Sequence, residues 1–202
     1  ALGETTAKNE LPIIDASKEL LDSIDLLPYR SLIKNNIGGI MIGNVQMPDI
    51  EPIDGLSVSL SNNMVTKKLK DDLGYNGLIF SGKLNDKKLI KNKKPGDVEL
   101  AAFLAGNDVL LFSEDVPKAI AEIQKAIHEN KISQEEIDRH CKKVLATKYW
   151  VGLNNYKKIE LFQEQYRGDK KGQAKVFNQM RAYNALSKSP TDKRKSPFTS
   201  AT

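Results

Sequence analysis

Apolar residues recur at three- and four-residue spacing between residues 16 and 35, at Leu20, Leu21, Ile24, Leu27, Leu32 and Ile33, which predicts a helix. Pro28 should break or restart it, because proline lacks a backbone donor and its ring clashes with the turn before it. The pattern then changes. Ile37-Gly-Gly-Ile-Met-Ile42 is a short apolar run of buried-strand type, followed by a turn-rich stretch from Asn44 to Leu60 containing Pro48, Pro52 and Gly55. Ser61 is placed to cap a helix reaching about Leu73, where Gly74 supplies the stop.

The same alternation repeats twice. Gly77-Leu-Ile-Phe80 predicts a second strand, then come a lysine-rich segment and a helix from about Asp97 to Leu104. Asp108-Val-Leu-Leu-Phe112 predicts a third strand, and a helix from about Val116 to Glu129 follows with Ile120, Ile123 and Ile127 on one face. Ser133 and Glu136 form a capping-box pattern that opens a helix ending near Trp150. Strands alternating with helices mean parallel strands joined by crossover helices, so the fold class is α/β. Beyond Asn155 the pattern weakens: residues 156–186 predict a helical extension, and residues 187–202 a polar, disordered tail.

Charge changes the picture once it is divided along the chain. The formal net charge is +5, but residues 1–155 hold 20 Lys and Arg against 22 Asp and Glu, while residues 156–202 hold 11 against 4. The basicity belongs to the tail. Within the body one cluster stands apart: Lys83, Lys87, Lys88, Lys91, Lys93 and Lys94, with no aromatic residue between them to act as a base-stacking platform. That reading excludes nucleic acid as a partner.

Composition removes several other classes. No run approaches the ~18 apolar residues of a membrane-spanning helix. Cys141 is the single cysteine, so neither an internal disulfide nor a four-thiolate zinc site is available. His128 and His140 are the only histidines, and Cys141 points to a different helix face from its neighbour His140. The chain begins at Ala1 with no signal-peptide pattern, which fits a processed, excised or partial sequence and leaves the compartment open.

Three stretches in order carry a family resemblance. They are Ile37–Pro48 with Ser57–Ser61 and Leu73–Phe80, then Leu104-Ala-Gly-Asn-Asp-Val-Leu-Leu-Phe112, then Ile132–Asp138 continuing through Val144–Lys148 to Gly152-Leu153. Together they resemble the C-terminal part of the catalytic barrel of glycoside hydrolase family 3, in its bacterial β-N-acetylhexosaminidase branch. The resemblance implies a partial (β/α)8 TIM barrel over residues 1–155, carrying the last βα units, because a closed barrel takes about 250 residues and eight strands. It further implies a retaining glycosidase acting on β-linked N-acetylglucosamine without metal or cofactor; the compartment, bacterial cytoplasm or periplasm, stays unknown.

That chemistry needs a carboxylate to attack the anomeric carbon and a proton donor for the leaving oxygen. Neither carries over. Gly82 stands where the resemblance places the nucleophilic Asp, and Lys8 stands at the acid/base His position, upstream of Leu11-Pro12. An unperturbed lysine, with a pKa of about 10.4, is a poor acid/base at neutral pH. Asn44 replaces a His after the first strand, and Asp86 lies four positions beyond Gly82; these two are the candidate substrate-binding residues. The expectation is a truncated or degenerate glycosidase, inactive alone, or a non-catalytic carbohydrate-binding or protein-interaction module. A partial barrel would also expose strand edges, to be covered by a second copy or a complementing barrel half.

Overall fold

Ser17 opens the first helix by accepting a hydrogen bond from the Leu20 amide (3.3 Å), and Pro28 sits in the first turn of the second. The expected helical stretch is therefore two pieces. α1 (Lys18–Leu20) widens into a turn with i→i+5 bonding over Leu21–Asp25, and α2 (Leu27–Lys34) restarts at the proline. Asn36, with φ of 56°, takes the left-handed conformation that ends α2. These details come from a computed structural model that describes residues 10–90 and 93–153. Two compact units divide the chain, Ala1–Thr147 with Phe198–Thr202, and Lys148–Pro197. The predicted extension and tail lie outside the described residues, as does Lys8.

The first unit is α/β, as the alternation predicts. β1 (Gly39–Met41), β2 (Leu78–Lys83) and β3 (Val109–Leu111) form one parallel sheet in that order. Gly39, Ile40 and Met41 lie opposite Leu78, Ile79 and Phe80, and Phe80 lies opposite Val109. Because side chains alternate across a strand, Ile40, Ile42 and Ile79 share one face. They pack there against Val65 and Leu69 of a wide helix, Asn63–Asp72. On the opposite face Phe80 closes over Gly39, where a Cβ would lie 2.8 Å from its ring. Met41 remains 65% exposed.

Between Phe80 and Lys83 the pairing with β3 shifts register. Ser81 fills the gap: its buried hydroxyl accepts the Leu111 amide (2.9 Å) and donates to the Gly82 carbonyl (2.9 Å). Replacing Ser81 with alanine removes the hydroxyl without adding volume and strands a backbone donor. We expect a loss of about 1–3 kcal/mol in urea unfolding; an unchanged midpoint would show that this bond contributes nothing.

The helices follow their caps. α3 (Lys87–Ile90), a short helix inside the lysine-rich segment, leads to α4 (Asp97–Ala105), which ends at Gly106 with φ of 110°. Asp115 caps α5 (Val116–His128) through the Lys118 amide (3.1 Å), and Ser133 caps α6 (Gln134–Trp150) through the Glu136 amide (3.1 Å). The buried face of α5 differs from the periodic expectation. Ala119 and Ala126 are buried, Ile123 and Ile127 join a cluster with Phe103 and Ile132, and Ile120 is exposed. Ala126 thus packs with Phe103 of α4, flanked by Ile123 and Ile127.

Candidate functional site at the carboxyl ends of the strands

In open parallel α/β sheets, ligand sites lie beyond the carboxyl ends of the strands. Gly82 is at that end of β2, is buried, and faces the loop that follows β1. The space a side chain at 82 would need is already filled. An added Cβ would run into the Asn44 amide oxygen, lie 2.7 Å from Asn44 Cγ and lie 3.0 Å from the Ile42 carbonyl oxygen.

Asn44 is held there by a directed chain of hydrogen bonds. Its Nδ2 donates to the Lys83 carbonyl (2.8 Å), and its Oδ1 accepts from the Ser59 hydroxyl (2.8 Å). A carbonyl can only accept, so the amide orientation follows from the partners. The single Ser59 hydroxyl proton goes to Asn44, so Ser57 must be the donor in the 2.9 Å contact between the two serines. Ser57 and Ser59 are fully buried. The result is a Ser57, Ser59, Asn44, Lys83 relay that stitches the loop after β1 to the end of β2.

Other polar groups at this rim are also committed. Glu51, 6% exposed, accepts from Ser61 Oγ (2.6 Å), Asn63 Nδ2 (3.1 Å) and the Ile53 amide (3.3 Å). It ties the loop to the helix Asn63–Asp72. Asp86 caps α3, its Oδ1 accepting the Lys88 amide (3.0 Å) and its carbonyl accepting those of Leu89 and Ile90. Of the sequence-derived site residues, the fold brings Gly82 and Asn44 together and sets Asp86 at the head of a helix. An apolar cavity of about 270 Å³ beside β1, lined in part by Leu21, Tyr29, Ile40 and Met64, includes none of the three. Among the described residues no three His, Cys, Asp or Glu side chains converge as a metal site would require.

A second polar cluster lies at the opposite end of the sheet. Asp108, just before β3 and with its side chain 1% exposed, contacts His140 Nδ1 (2.6 Å) and Lys143 Nζ (2.7 Å). It also accepts the Ile79 amide (2.8 Å). Burial alone would raise the Asp108 carboxyl, but the hydrogen bonds from His140 and Lys143 and the lysine charge outweigh it and hold the group below its ordinary value. Nearby, burial lowers Lys70, whose ammonium donates to the Gly106 carbonyl (2.6 Å). This amino-end cluster fixes α6 to the sheet and lies away from the rim that carries Gly82. The sequence signal for it was thin: an Asp preceding a strand and a His–Lys pair three apart on a helix.

Residues 2–147 match the family profile of the glycosyl hydrolase family 3 N-terminal domain. A β-hexosaminidase A of Pseudoalteromonas piscicida is 24% identical over 157 residues, covering 68% of this chain and 26% of the relative. A β-hexosaminidase of Nitrosospira multiformis is 27% identical over 125 residues, covering 62% of this chain and 35% of the relative. Among solved structures, a family 3 β-N-acetylglucosaminidase from a Paenibacillus species superposes with a TM-score of 0.68 at 28% identity, over 77% of this chain and 30% of that one. The chain thus spans about a quarter to a third of the length of these curated relatives.

Proposed function

Because the chain belongs to glycosyl hydrolase family 3 and is β-hexosaminidase-like, we propose that it binds β-linked amino-sugar glycans and does not carry out the covalent hydrolytic step. The observation that carries this reading is Gly82, together with the Asn44 amide that occupies its missing side chain. A retaining hydrolysis forms a bond between a carboxylate oxygen and the anomeric carbon. Glycine supplies no such oxygen. The neighbouring carboxylates do not substitute: Asp86 is engaged in capping α3 and Glu51 is buried under three donors. Errors of about 1 Å in a reacting group already cost ~100-fold in rate.

The alternative reading, hydrolysis of terminal β-N-acetylglucosaminides, rests on the family and the named relatives. One assay separates the two. The purified chain should release chromophore from an aryl β-N-acetylglucosaminide no faster than buffer, while retaining affinity for chitohexaose in titration calorimetry. Turnover above buffer overturns the non-hydrolytic reading.

A further inference from the structure

We propose that the rim formed by the end of β2, α3 and the residue after β3 is a binding surface for an anionic polysaccharide, one bearing carboxylates along its chain. This deepens the saccharide-binding reading and rests on it. Three observations converge on one place. First, Gly82 removes a negative charge from the position where the family resemblance expects one, and the next residue, Lys83, is exposed. Second, Lys83, Lys87, Lys88, Lys93 and Lys94 form no ion pair among the described residues, although the lysines at 68, 118, 131 and 143 do. The acids in the same segment are diverted to backbone amides: Asp86 to Lys88 and Asp97 to Lys94. Those two carboxylates keep their charge, but against the five lysines they leave the segment net positive, which raises the local concentration of an anionic ligand.

Third, the fold supplies an aromatic residue that the lysine segment lacks. Phe112 follows β3, is 66% exposed, and has a φ of 54°. A bulky residue with positive φ is strained, and such strain persists only where surrounding structure imposes it. Here the constraint is a pair of bonds to the lysine loop: Leu84 donates to the Leu111 carbonyl (3.0 Å) and Asn85 to the Phe112 carbonyl (2.9 Å). An apolar ring is thus held in solvent two residues from Lys83 in the bonded pair. A single exposed ring on the residue bonded to the lysine-bearing segment suits one sugar face flanked by carboxylates. It suits a nucleic acid poorly, since that would call for successive stacking platforms.

The test compares two amino-sugar probes that differ in charge, hyaluronan octasaccharide and chitohexaose, by titration calorimetry with the full chain at 20 mM and 150 mM salt. The hyaluronan octasaccharide is expected to bind at least about tenfold more tightly than chitohexaose at low salt, and to weaken as salt screens the lysines. The triple variant Lys83→Gln, Lys87→Gln, Lys88→Gln should lose about tenfold or more. A charge-matched control at exposed lysines elsewhere, Lys34→Gln, Lys125→Gln, Lys142→Gln, should lose little. Phe112→Asn, which tolerates the left-handed backbone, should weaken binding without changing its salt dependence. Equal losses in the two triple variants would reduce the effect to net charge and overturn the site. Equally tight binding of a single-stranded oligonucleotide, or of vesicles with anionic lipid, would overturn the saccharide assignment. Chitohexaose binding without hyaluronan binding overturns this inference alone, and failure of both probes overturns the saccharide reading with it.

Discussion

Replacing Asp108 with alanine is expected to remove about 3–5 kcal/mol of folding stability, because it withdraws the one carboxylate that two cationic or polar partners were buried to meet. His140 and Lys143 reach it at 2.6 and 2.7 Å, and the Ile79 amide loses its acceptor at the same time. Lys143 keeps some access to water, so the loss should fall toward the lower end of that range. Urea titration followed by circular dichroism measures it directly. A loss below about 1 kcal/mol would mean that α6 is held by its apolar contacts and not by this cluster.

The same group makes a signed prediction for pH. Its carboxyl is held below the ordinary value in the folded protein, so the folded state binds the proton less readily than the unfolded chain does. Its contribution is therefore complete above the unfolded value and fades as pH falls through the folded one. Between neutral pH and about pH 4 the contribution should be nearly constant, with the loss concentrated below that. Asp108→Asn should flatten this acid limb, and stability curves of the two proteins should converge as pH falls. Curves that stay parallel down to acid-induced unfolding would assign the acid sensitivity to other carboxylates.

Introducing a carboxylate at position 82 should fail in an informative way. Gly82→Asp is expected to destabilise the protein by about 2–4 kcal/mol and to yield no turnover of the aryl glycoside. The new Cβ meets the Asn44 amide, and the carboxylate would arrive in a buried position close to the Ile42 carbonyl oxygen, another acceptor. Asn44→Ala by itself should cost about 1 kcal/mol through its lost bonds to Lys83 and Ser59. Combined, the two substitutions should cost less than their sum by about 1–3 kcal/mol, since the smaller residue at 44 makes room at 82. Strict additivity in unfolding experiments would show that the two positions do not compete for the same space. Turnover by Gly82→Asp alone would show that the site lacks only its carboxylate.

Much of the fold was legible because its cues are local. The break at Pro28, the stop at Gly74, the cap at Ser133 and the three apolar strand runs each depend on a few neighbouring residues. The α5 face was misread for a related reason. Periodicity counts Ile120 as core because it is apolar, but the face of α5 that packs on Phe103 of α4 carries Ile123, Ala126 and Ile127 and leaves Ile120 exposed. Asp86 shows the limit for a site residue: the sequence marks a carboxylate near the strand end, and only the backbone decides that it caps α3.

The sequence by itself determined that parallel strands alternate with helices, which follows from residue type and short spacing, and the family resemblance set glycine where it places a nucleophile. Only the tertiary structure decided what glycine means there. Asn44, thirty-nine positions from the Lys83 carbonyl it bonds, enters the vacant volume because the parallel register places the ends of β1 and β2 side by side. The same register brings Phe112 to the lysine loop, and the packing of α6 brings His140 and Lys143 onto Asp108. Hydrogen bonds and charges act over a few ångströms, so a site built from distant segments exists only once strand order and register have set those distances.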